Sequence, residues 1–479
     1  MVFSSNVFLF LFLPLVLIGY FVMGKRLKNA FLLLVSLLFY AWGEPVFVWI
    51  MIGSILFNYG AALVLDRLRE RPGLRKYTLA LALAANLSIL FMYKYFDFFA
   101  VNANAIVGRL GFRLPMLGLA LPIGISFFTF QAMSYLIDVY RGVTAVQRKP
   151  QHVGLYIAFF PQLMAGPIIR YQTIEKQIES RTVTWEGFSE GVHRFIMGFC
   201  KKILIANNVA LIADQAFALP DAQRSVVYAW IGVIAYSLQI FFDFSGYSDM
   251  AIGLGRMFGF RFLENFDHPY ASRSVSEFWR RWHISLGQWF RDYVYFPLGG
   301  SRVAAKSRLV FNLFVVWLLT GIWHGASWNF VLWGLMYFVL IAMEKLTGYP
   351  GRFRSVGAKA AYRVFTLLCV MGGWALFRAS GAGRAGLYLQ SMIGMGGNPL
   401  FDANVLYAIR EYWVFLLAGI LCSTTLFQSL RAKMDSGTWP AGWVRLLNGL
   451  SMGFYLFCFV WAVSFLVLGA YSPFIYFNF

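Results

Sequence analysis

The sequence predicts an all-α polytopic membrane protein, and three observations support this fold class. Hydrophobic residues make up 59% of the 479 residues and charged residues only 13%, whereas soluble proteins carry roughly a quarter charged residues. Several windows approach the ~20 apolar residues that a helix needs to cross a bilayer. No ten-residue alternation of apolar and polar residues recurs, although a membrane β-barrel would require one.

The first apolar windows predict spans that alternate across the membrane. They are Val7–Met23, Ala30–Trp42, Val46–Leu65, Thr78–Met92 and Leu117–Ile137. The first window is expected to be a retained helix rather than a signal peptide, because no Lys or Arg precedes it and no small-residue cleavage site is evident. The N-terminus is therefore expected outside the cytoplasm.

The segment Leu155–Pro167 is too short to cross the membrane, carries prolines and has basic residues on both flanks. These features predict a re-entrant segment, which is tolerated only where it is buried in protein or lines a cavity.

Further spans follow this segment, and we expect one membrane domain over residues 1–479. The spans are Ile203–Leu219, Val226–Phe242 continuing towards Phe260, Leu309–Trp323, Trp328–Met343, Val364–Phe377, Tyr412–Phe427 and Leu446–Leu468.

The segment Ser272–Leu298 is neither a span nor an ordinary loop. Its apolar residues recur with helical spacing, which indicates one face of an amphipathic helix. These residues are Trp279, Trp282, Leu286, Trp289, Phe290 and Tyr293. A helix of this kind, over Ser276–Tyr293, is expected to lie in the membrane interface or at the mouth of a cavity.

The net charge of +20 reflects membrane topology rather than nucleic-acid binding. The connections Lys25–Lys28, Arg67–Lys76 and Arg141–Lys149 hold eleven Lys and Arg, whereas the alternate connections Gly43–Pro45 and Lys94–Arg113 hold three. The positive-inside rule makes the first set cytoplasmic, and anionic lipid headgroups are the expected counter-charge.

The four cysteines show no CxxC spacing and lie in or beside apolar runs, so they read as small buried hydrophobic residues rather than metal ligands.

His324 is one of only five histidines and lies within the apolar stretch Leu309–Met343. An ionisable side chain at membrane depth is costly unless it faces a cavity or a partner, so it is a functional candidate by default. Its small neighbours Gly321, Gly325 and Ala326 let a substrate approach closely. A neutral imidazole can take a proton from a hydroxyl during acyl transfer. The alternative is a histidine that bonds a backbone carbonyl and helps two helices pack.

His283 follows two arginines on the predicted amphipathic helix, and it is either a second functional imidazole or a solvated side chain. Arg280 and Arg281 either anchor this helix to lipid phosphates or hold the phosphates of an anionic donor, because the guanidinium fork suits phosphate.

Two carboxylates, Asp243 and Asp249, lie in an apolar and aromatic segment. They could orient an imidazole or pair with arginines, and because pairing is the commoner fate of buried acids we expect structural ion pairs. A Ser-His-Asp triad through Ser245 or Ser248 is possible on paper, but no GxSxG motif exists. HExxH, Walker A and GxGxxG motifs are also absent, so zinc hydrolysis and nucleotide-fold chemistry have no support.

Six short motifs run in order through the chain as far as about Glu344. They are Met1–Ser5, Leu121–Phe127, Phe160-Pro161 with Ala165-Gly166-Pro167, Phe242–Gly253, Glu277–Ser285 and Trp323-His324-Gly325. In these motifs the sequence resembles the membrane-bound O-acyltransferase family, in the bacterial branch that includes the alginate O-acetyltransferase membrane subunit and the D-alanyl transfer protein of teichoic acids. The core motifs cover residues 121–344, and the helices over residues 359–479 match only in hydropathy.

The resemblance implies a many-helix fold with re-entrant and interfacial helices around a central tunnel. The family's essential histidine corresponds to His324, and a second polar position corresponds to His283. Acyl donor would enter from the cytoplasm and an acceptor hydroxyl from the far side. The donor-binding and tunnel-lining candidates are Arg280, Arg281, Trp282, Trp323, Asp249, Tyr247 and Pro167.

The activity implied by this resemblance is transfer of an acetyl group from cytoplasmic acetyl-CoA, across the bacterial inner membrane, towards an exported polysaccharide. A periplasmic acetyltransferase partner and a polysaccharide synthase and export complex are implied, with no metal or tightly bound cofactor. Gln151-His152 stands where the alginate pattern has an acidic residue, so alginate, cellulose and other exopolysaccharides all stay open. The alternatives are acylation of a lipid or a protein, or a proton-coupled transporter or flippase.

Overall fold

The structure, a computed structural model, describes residues 1–108, 111, 113–164, 166–469 and 471. Within these ranges all regular secondary structure is helical, so the predicted all-α class is confirmed. Ala165, which belongs to one of the six motifs, lies outside the described residues.

Nine helices in the described ranges are long and apolar enough to cross a membrane, which makes this a multi-pass membrane protein. They are Val48–Arg67, Pro72–Val107, Trp185–Ala218, Val226–Met257, Lys306–His324, Trp328–Thr347, Val356–Arg378, Ala403–Ser423 and Ala441–Val467. The shorter apolar helices are Phe8–Val22 and Lys28–Gly43. The remaining α-helices are Ile125–Arg141, Pro150–Ala158, Phe160–Leu163, Tyr171–Glu179, Val275–Arg281, Ile284–Phe290, Ala382–Met392 and Leu426–Asp435.

The chain forms two compact units. The first unit contains Met1–Phe195 and Ala251–Leu263, and the second contains Ile196–Met250 and Glu264–Phe479. The prediction of one domain over the whole chain stays a prediction, because compactness alone does not tell whether two units fold independently.

Two helices of the first unit begin or end away from the predicted boundaries. The span predicted from Leu117 begins at Ile125, because Pro122 cannot donate a helical hydrogen bond and Gly124 adopts a φ of 77°. The connection predicted over Lys94–Arg113 is mostly helical, since the helix from Pro72 continues to Val107. Lys94 is accommodated inside this helix, where its ammonium lies 3.4 Å from the Ser126 hydroxyl.

The segment predicted to be re-entrant is broken and buried in the first unit. The helix Pro150–Ala158 ends at Phe159, and a single turn, Phe160–Leu163, follows. The break frees backbone groups, and side chains satisfy them: the Phe160 amide donates to the Ser36 hydroxyl at 3.1 Å. Such pairing is what a membrane-embedded break requires. Its position in the bilayer stays a prediction.

The helices Lys306–His324 and Trp328–Thr347 cross closely in the second unit, and this crossing places His324. They meet at Gly321 and Gly334, where a Cβ atom on Gly334 would lie 3.1 Å from the Gly321 Cα atom and closer still to the carbonyl oxygen of Trp317. Only a residue without a side chain allows this approach.

The crossing leads to a prediction for Gly334→Ala. The added methyl group would push the two backbones apart, and overpacking of this kind costs about 1–3 kcal/mol. We expect a lower melting temperature in thermal unfolding of the detergent-purified protein, followed by tryptophan fluorescence. Gly357→Ala is the matched control, because a Cβ atom there meets nothing within 4 Å and alanine is the better helix former. Equal melting temperatures for the two variants would contradict the proposed crossing.

Candidate active site

His324 is the last residue of its helix and is enclosed by aromatic rings. Its imidazole lies edge-to-face against Trp323, Trp333 and Phe377, with ring centroids 5.0, 4.9 and 5.2 Å away. The side chain is 6% exposed. The chain leaves the helix at Gly325, where a Cβ atom would overlap the ring of Phe330. The glycine after His324 is therefore needed for packing.

A cavity of about 870 Å³ lies next to the His324 cage: Phe377 belongs to both, and Phe330, which packs on Phe377, lines the cavity. Its polar lining comes from the second unit, mostly from residues at or near helix ends. It includes Asp214, Arg224, Gln239, Asn329, Arg378 and Arg384. A cavity of this size holds a small-molecule ligand or part of a larger one.

The cavity and His324 both lie at the C-terminal ends of helices that carry basic residues near their starts. Arg378 ends the helix Val356–Arg378, which carries Lys359 and Arg363 near its start. His324 likewise ends a helix that begins with Lys306 and carries Arg308. Both therefore lie at the ends of these two helices opposite Lys306, Arg308, Lys359 and Arg363, although the cavity is itself also lined by arginines.

The amphipathic helix predicted over Ser276–Tyr293 is not continuous, and that prediction is wrong. The helix Val275–Arg281 stops before Trp282, and a second helix begins at Ile284. His283 lies in the break with a φ of 44° and is 2% exposed. A left-handed backbone is uncommon outside glycine, costs of order 1–3 kcal/mol and clusters at functional sites. His283 is thus a buried residue at a turn, and it does not border a solvated helix face.

Glu344 holds the start of the first short helix. Its buried carboxylate accepts the backbone amides of Val275 and Ser276, both at 2.8 Å, and the Tyr362 hydroxyl at 3.0 Å. The first amides of a helix lack intrahelical partners, and a carboxylate there also interacts favourably with the helix dipole. Glu344 therefore fixes where the segment that leads to His283 begins.

Asn265 holds the other side of the break. Its Oδ1 atom lies 3.2 Å from His283 Nδ1 and accepts hydrogen bonds from the Ser285 amide at 3.2 Å and the Ser285 hydroxyl at 2.8 Å. Its Nδ2 atom donates to the Ser248 hydroxyl at 3.0 Å. Phe244 packs edge-to-face on the imidazole at 4.7 Å. The His283 ring is thus fixed in both position and plane.

Burial lowers the pKa of His283 to about 3, because a charged imidazolium is poorly solvated away from water. His283 is therefore neutral near pH 7. Its buried Nε2 atom has no hydrogen-bond partner in the described parts of the chain.

The two arginines before the break differ in environment. Arg281 forms ion pairs with Glu277 at 2.9 Å and with Asp267 at 3.6 Å. Arg280 is exposed and makes no ion pair or hydrogen bond with any residue that the structure describes. Arg281 therefore stabilises the turn, whereas Arg280 keeps its guanidinium available.

Both buried aspartates form ion pairs, which confirms the expected pairing, but the partners are lysines and not the expected arginines. Lys202 lies 2.6 Å from Asp243, and Lys201 lies 2.7 Å from Asp249. Breaking such a pair leaves an uncompensated buried charge, which costs several kcal/mol. Asp249, a tunnel candidate, thus holds two helices of the second unit together through Lys201.

The remaining candidates occupy different places. Trp323 packs near both imidazoles, with its ring 5.0 Å from His324 and 6.1 Å from His283. Trp282 packs at 4.8 Å on Trp374. Tyr247 is buried in the helix Val226–Met257. Pro167 is buried in the first unit, whereas all other candidates belong to the second.

Comparison with known proteins identifies the chain. The model of the membrane-bound O-acyltransferase family matches residues 150–354. A protein of Pseudomonas putida named probable alginate O-acetylase is 40% identical over the full length of both chains. The chain belongs to the membrane-bound O-acyltransferase family.

More distant relatives in this family carry out related acyl transfers. A peptidoglycan O-acetyltransferase of Helicobacter pylori is 32% identical and aligns with 100% of this chain and 98% of its own. A teichoic acid D-alanyltransferase of Bacillus subtilis is 31% identical over 46% of this chain and 58% of its own. This membrane-bound O-acyltransferase is an enzyme, and the transporter alternative is set aside.

The structure also brings functional candidates into this O-acyltransferase site that sequence reasoning missed. Asn265 lies eighteen residues before His283, and Glu344 lies in a later helix, so neither shares a periodic pattern with the histidine. The only available signal was their type: polar residues in largely apolar stretches. In the part of the chain that the structure describes, no group of three or more His, Cys, Asp or Glu is placed to hold a metal ion.

Proposed function

We propose that this enzyme transfers an acetyl group from cytoplasmic acetyl-CoA to an acceptor hydroxyl on the far side of the bacterial inner membrane, for O-acetylation of an exported polysaccharide. The main support is His324, an imidazole caged by aromatic rings beside a cavity of about 870 Å³. The full-length relatives named O-acetylase and O-acetyltransferase favour acetyl as the acyl group.

In the proposed reaction, His324 acts as the general base. It takes the proton of the acceptor hydroxyl while the hydroxyl oxygen attacks the thioester carbonyl carbon. The tetrahedral intermediate then collapses, the carbon–sulfur bond breaks, and the proton passes from His324 to the thiolate. The products are the acetyl ester and free CoA thiol. A neutral imidazole in a dry cage suits this role, since it must begin unprotonated.

We assign acceptor entry to the cavity beside His324. The cavity lies at helix ends opposite Lys306, Arg308, Lys359 and Arg363, and the positive-inside rule makes such basic ends cytoplasmic. The acceptor is a polysaccharide hydroxyl or the hydroxyl of a periplasmic acetyltransferase partner that passes the group on. Alginate is one candidate polymer, since relatives are named for it, and cellulose is another. Donor entry is assigned to the side of Arg280.

His324→Ala is expected to lower acetyl transfer at least ~10²-fold, because general base catalysis contributes about 10²–10⁴ in rate. The measurements are CoA thiol release by the purified enzyme and ester content of the polymer from producing cells. His193→Ala is the control, since His193 is exposed and far from the cage in sequence. Wild-type ester content from a well-folded His324→Ala protein would exclude His324 as the base.

Arg280→Gln is expected to raise KM for acetyl-CoA by roughly fivefold with little change in kcat, because an exposed charge pair contributes up to about 1 kcal/mol. The effect should shrink at high salt. Arg281→Gln is the matched comparison and should lower the melting temperature instead, since it loses the pairs with Glu277 and Asp267. An unchanged KM in folded Arg280→Gln protein would leave Arg280 as a lipid anchor only.

The proposed topology places the N-terminus in the periplasm, Arg71 in the cytoplasm and Arg113 in the periplasm. Single cysteines at Arg71 and Arg113, in a background with the four native cysteines changed to serine, should differ in intact cells. An impermeant maleimide should label the cysteine at 113 and reach that at 71 only after lysis. Labelling at 71 in intact cells would reverse the assignment.

A further inference from the structure

The orientation of the Asn265 side-chain amide follows from its contact with the backbone N–H of Ser285. The backbone N–H of Ser285 only donates, and it lies 3.2 Å from one atom of the amide. That atom must therefore be the oxygen, because a facing NH₂ group would set donor against donor. The NH₂ group then faces the Ser248 hydroxyl at 3.0 Å.

This orientation determines the hydrogen position on His283. The amide oxygen accepts only, and it lies 3.2 Å from His283 Nδ1. The Ser285 hydroxyl, whose proton goes to the same oxygen, lies 3.5 Å from Nδ1. Both groups present lone pairs to Nδ1, so Nδ1 must carry the hydrogen of the neutral ring. The lone pair then belongs to Nε2.

We infer that Asn265 is a positioning residue that fixes His283 in the Nδ1–H tautomer, so that His283 meets the substrate only as a hydrogen-bond acceptor through Nε2. This inference rests on the proposed function for its consequence in the reaction. The Asn265 amide acts through His283 and does not itself touch the reacting atoms.

The Nδ1–H tautomer of His283 decides between two roles for this second imidazole. A group that stabilises the oxyanion of the tetrahedral intermediate must donate a hydrogen bond, and neutral His283 has no hydrogen on Nε2. It can instead accept a hydrogen bond from the acceptor hydroxyl and orient it for His324. Trp323 packs near both imidazoles and so links the two groups that would share this hydroxyl.

The tautomer can be measured directly by solid-state NMR of protein labelled with ¹⁵N-histidine and embedded in lipid. The chain has only five histidines, so the His283 signals are assigned by their loss in His283→Asn. Asparagine tolerates the left-handed backbone at this position. We expect a protonated Nδ1 and an unprotonated Nε2. An Nε2–H signal from His283 in the wild-type protein would overturn the inference.

Asn265→Leu and Asn265→Asp separate positioning from packing. Leucine removes the acceptor, so His283 should lose the fixed Nδ1–H form and kcat should fall about tenfold to a hundredfold, with KM for acetyl-CoA retained. Aspartate keeps an acceptor oxygen against Nδ1, so it should preserve the tautomer and rescue much of kcat, although burying a carboxylate destabilises the fold more than leucine does. Equal activity of the two variants, or wild-type kcat in Asn265→Leu, would contradict the positioning role.

The two proposals fail in different ways. If the wild-type enzyme releases no CoA thiol from acetyl-CoA, the proposed function fails, whatever the tautomer. If acetyl transfer occurs but His283 carries its hydrogen on Nε2, only the role of Asn265 fails. The NMR measurement needs neither substrate nor activity. Because it is made on the wild-type protein, it tests the tautomer even if an Asn265 variant does not fold.

Discussion

A chain that leaves the helical conformation inside a membrane protein must find partners for its free amides, and the candidate site depends on how this chain does so. Glu344 receives the two amides at the start of the helix Val275–Arg281. Beyond the break, the backbone oxygen and the side chain of Asn265 receive the amides of Ile284 and Ser285. Without these acceptors, the backbone amides on either side of the left-handed turn at His283 would be buried without hydrogen bonds, which costs several kcal/mol for each amide. The position of the second imidazole is therefore a result of backbone pairing.

The same requirement accounts for the charges inside the second unit. Lys202 and Asp243 are almost completely buried and lie 2.6 Å apart, so neither charge is left alone. Aromatic rings surround His324, and an apolar environment of this kind strengthens any electrostatic interaction within it. Charge is thus neutralised where it holds helices together, and the two imidazoles are the groups for which we propose a chemical role.

The sequence predicted most spans, because long apolar stretches fix helices in lipid whatever their neighbours do. It also identified His324 and the ion-paired state of Asp243, since buried ionisable groups are rare enough to stand out. It failed at His283, where the spacing of Trp279, Trp282 and Leu286 matches one helix face. The helical spacing of apolar residues depends only on residues that are close together along the chain. It contains no information about distant acceptors such as Asn265 and Glu344, whose hydrogen bonds to backbone amides stabilise the break in the helix.

The sequence by itself therefore determined the all-α membrane fold and the acyltransferase motifs, and it singled out two histidines as candidates, because these depend on hydropathy and residue type. Only the tertiary structure decided that Arg281 is paired, whereas Arg280 is exposed and makes no ion pair within the described residues. It also decided that Gly321 and Gly334 set the position of His324, and that Asn265 faces Nδ1 of His283. Each of these depends on distances between residues far apart in the chain, and such distances exist only after the helices have packed.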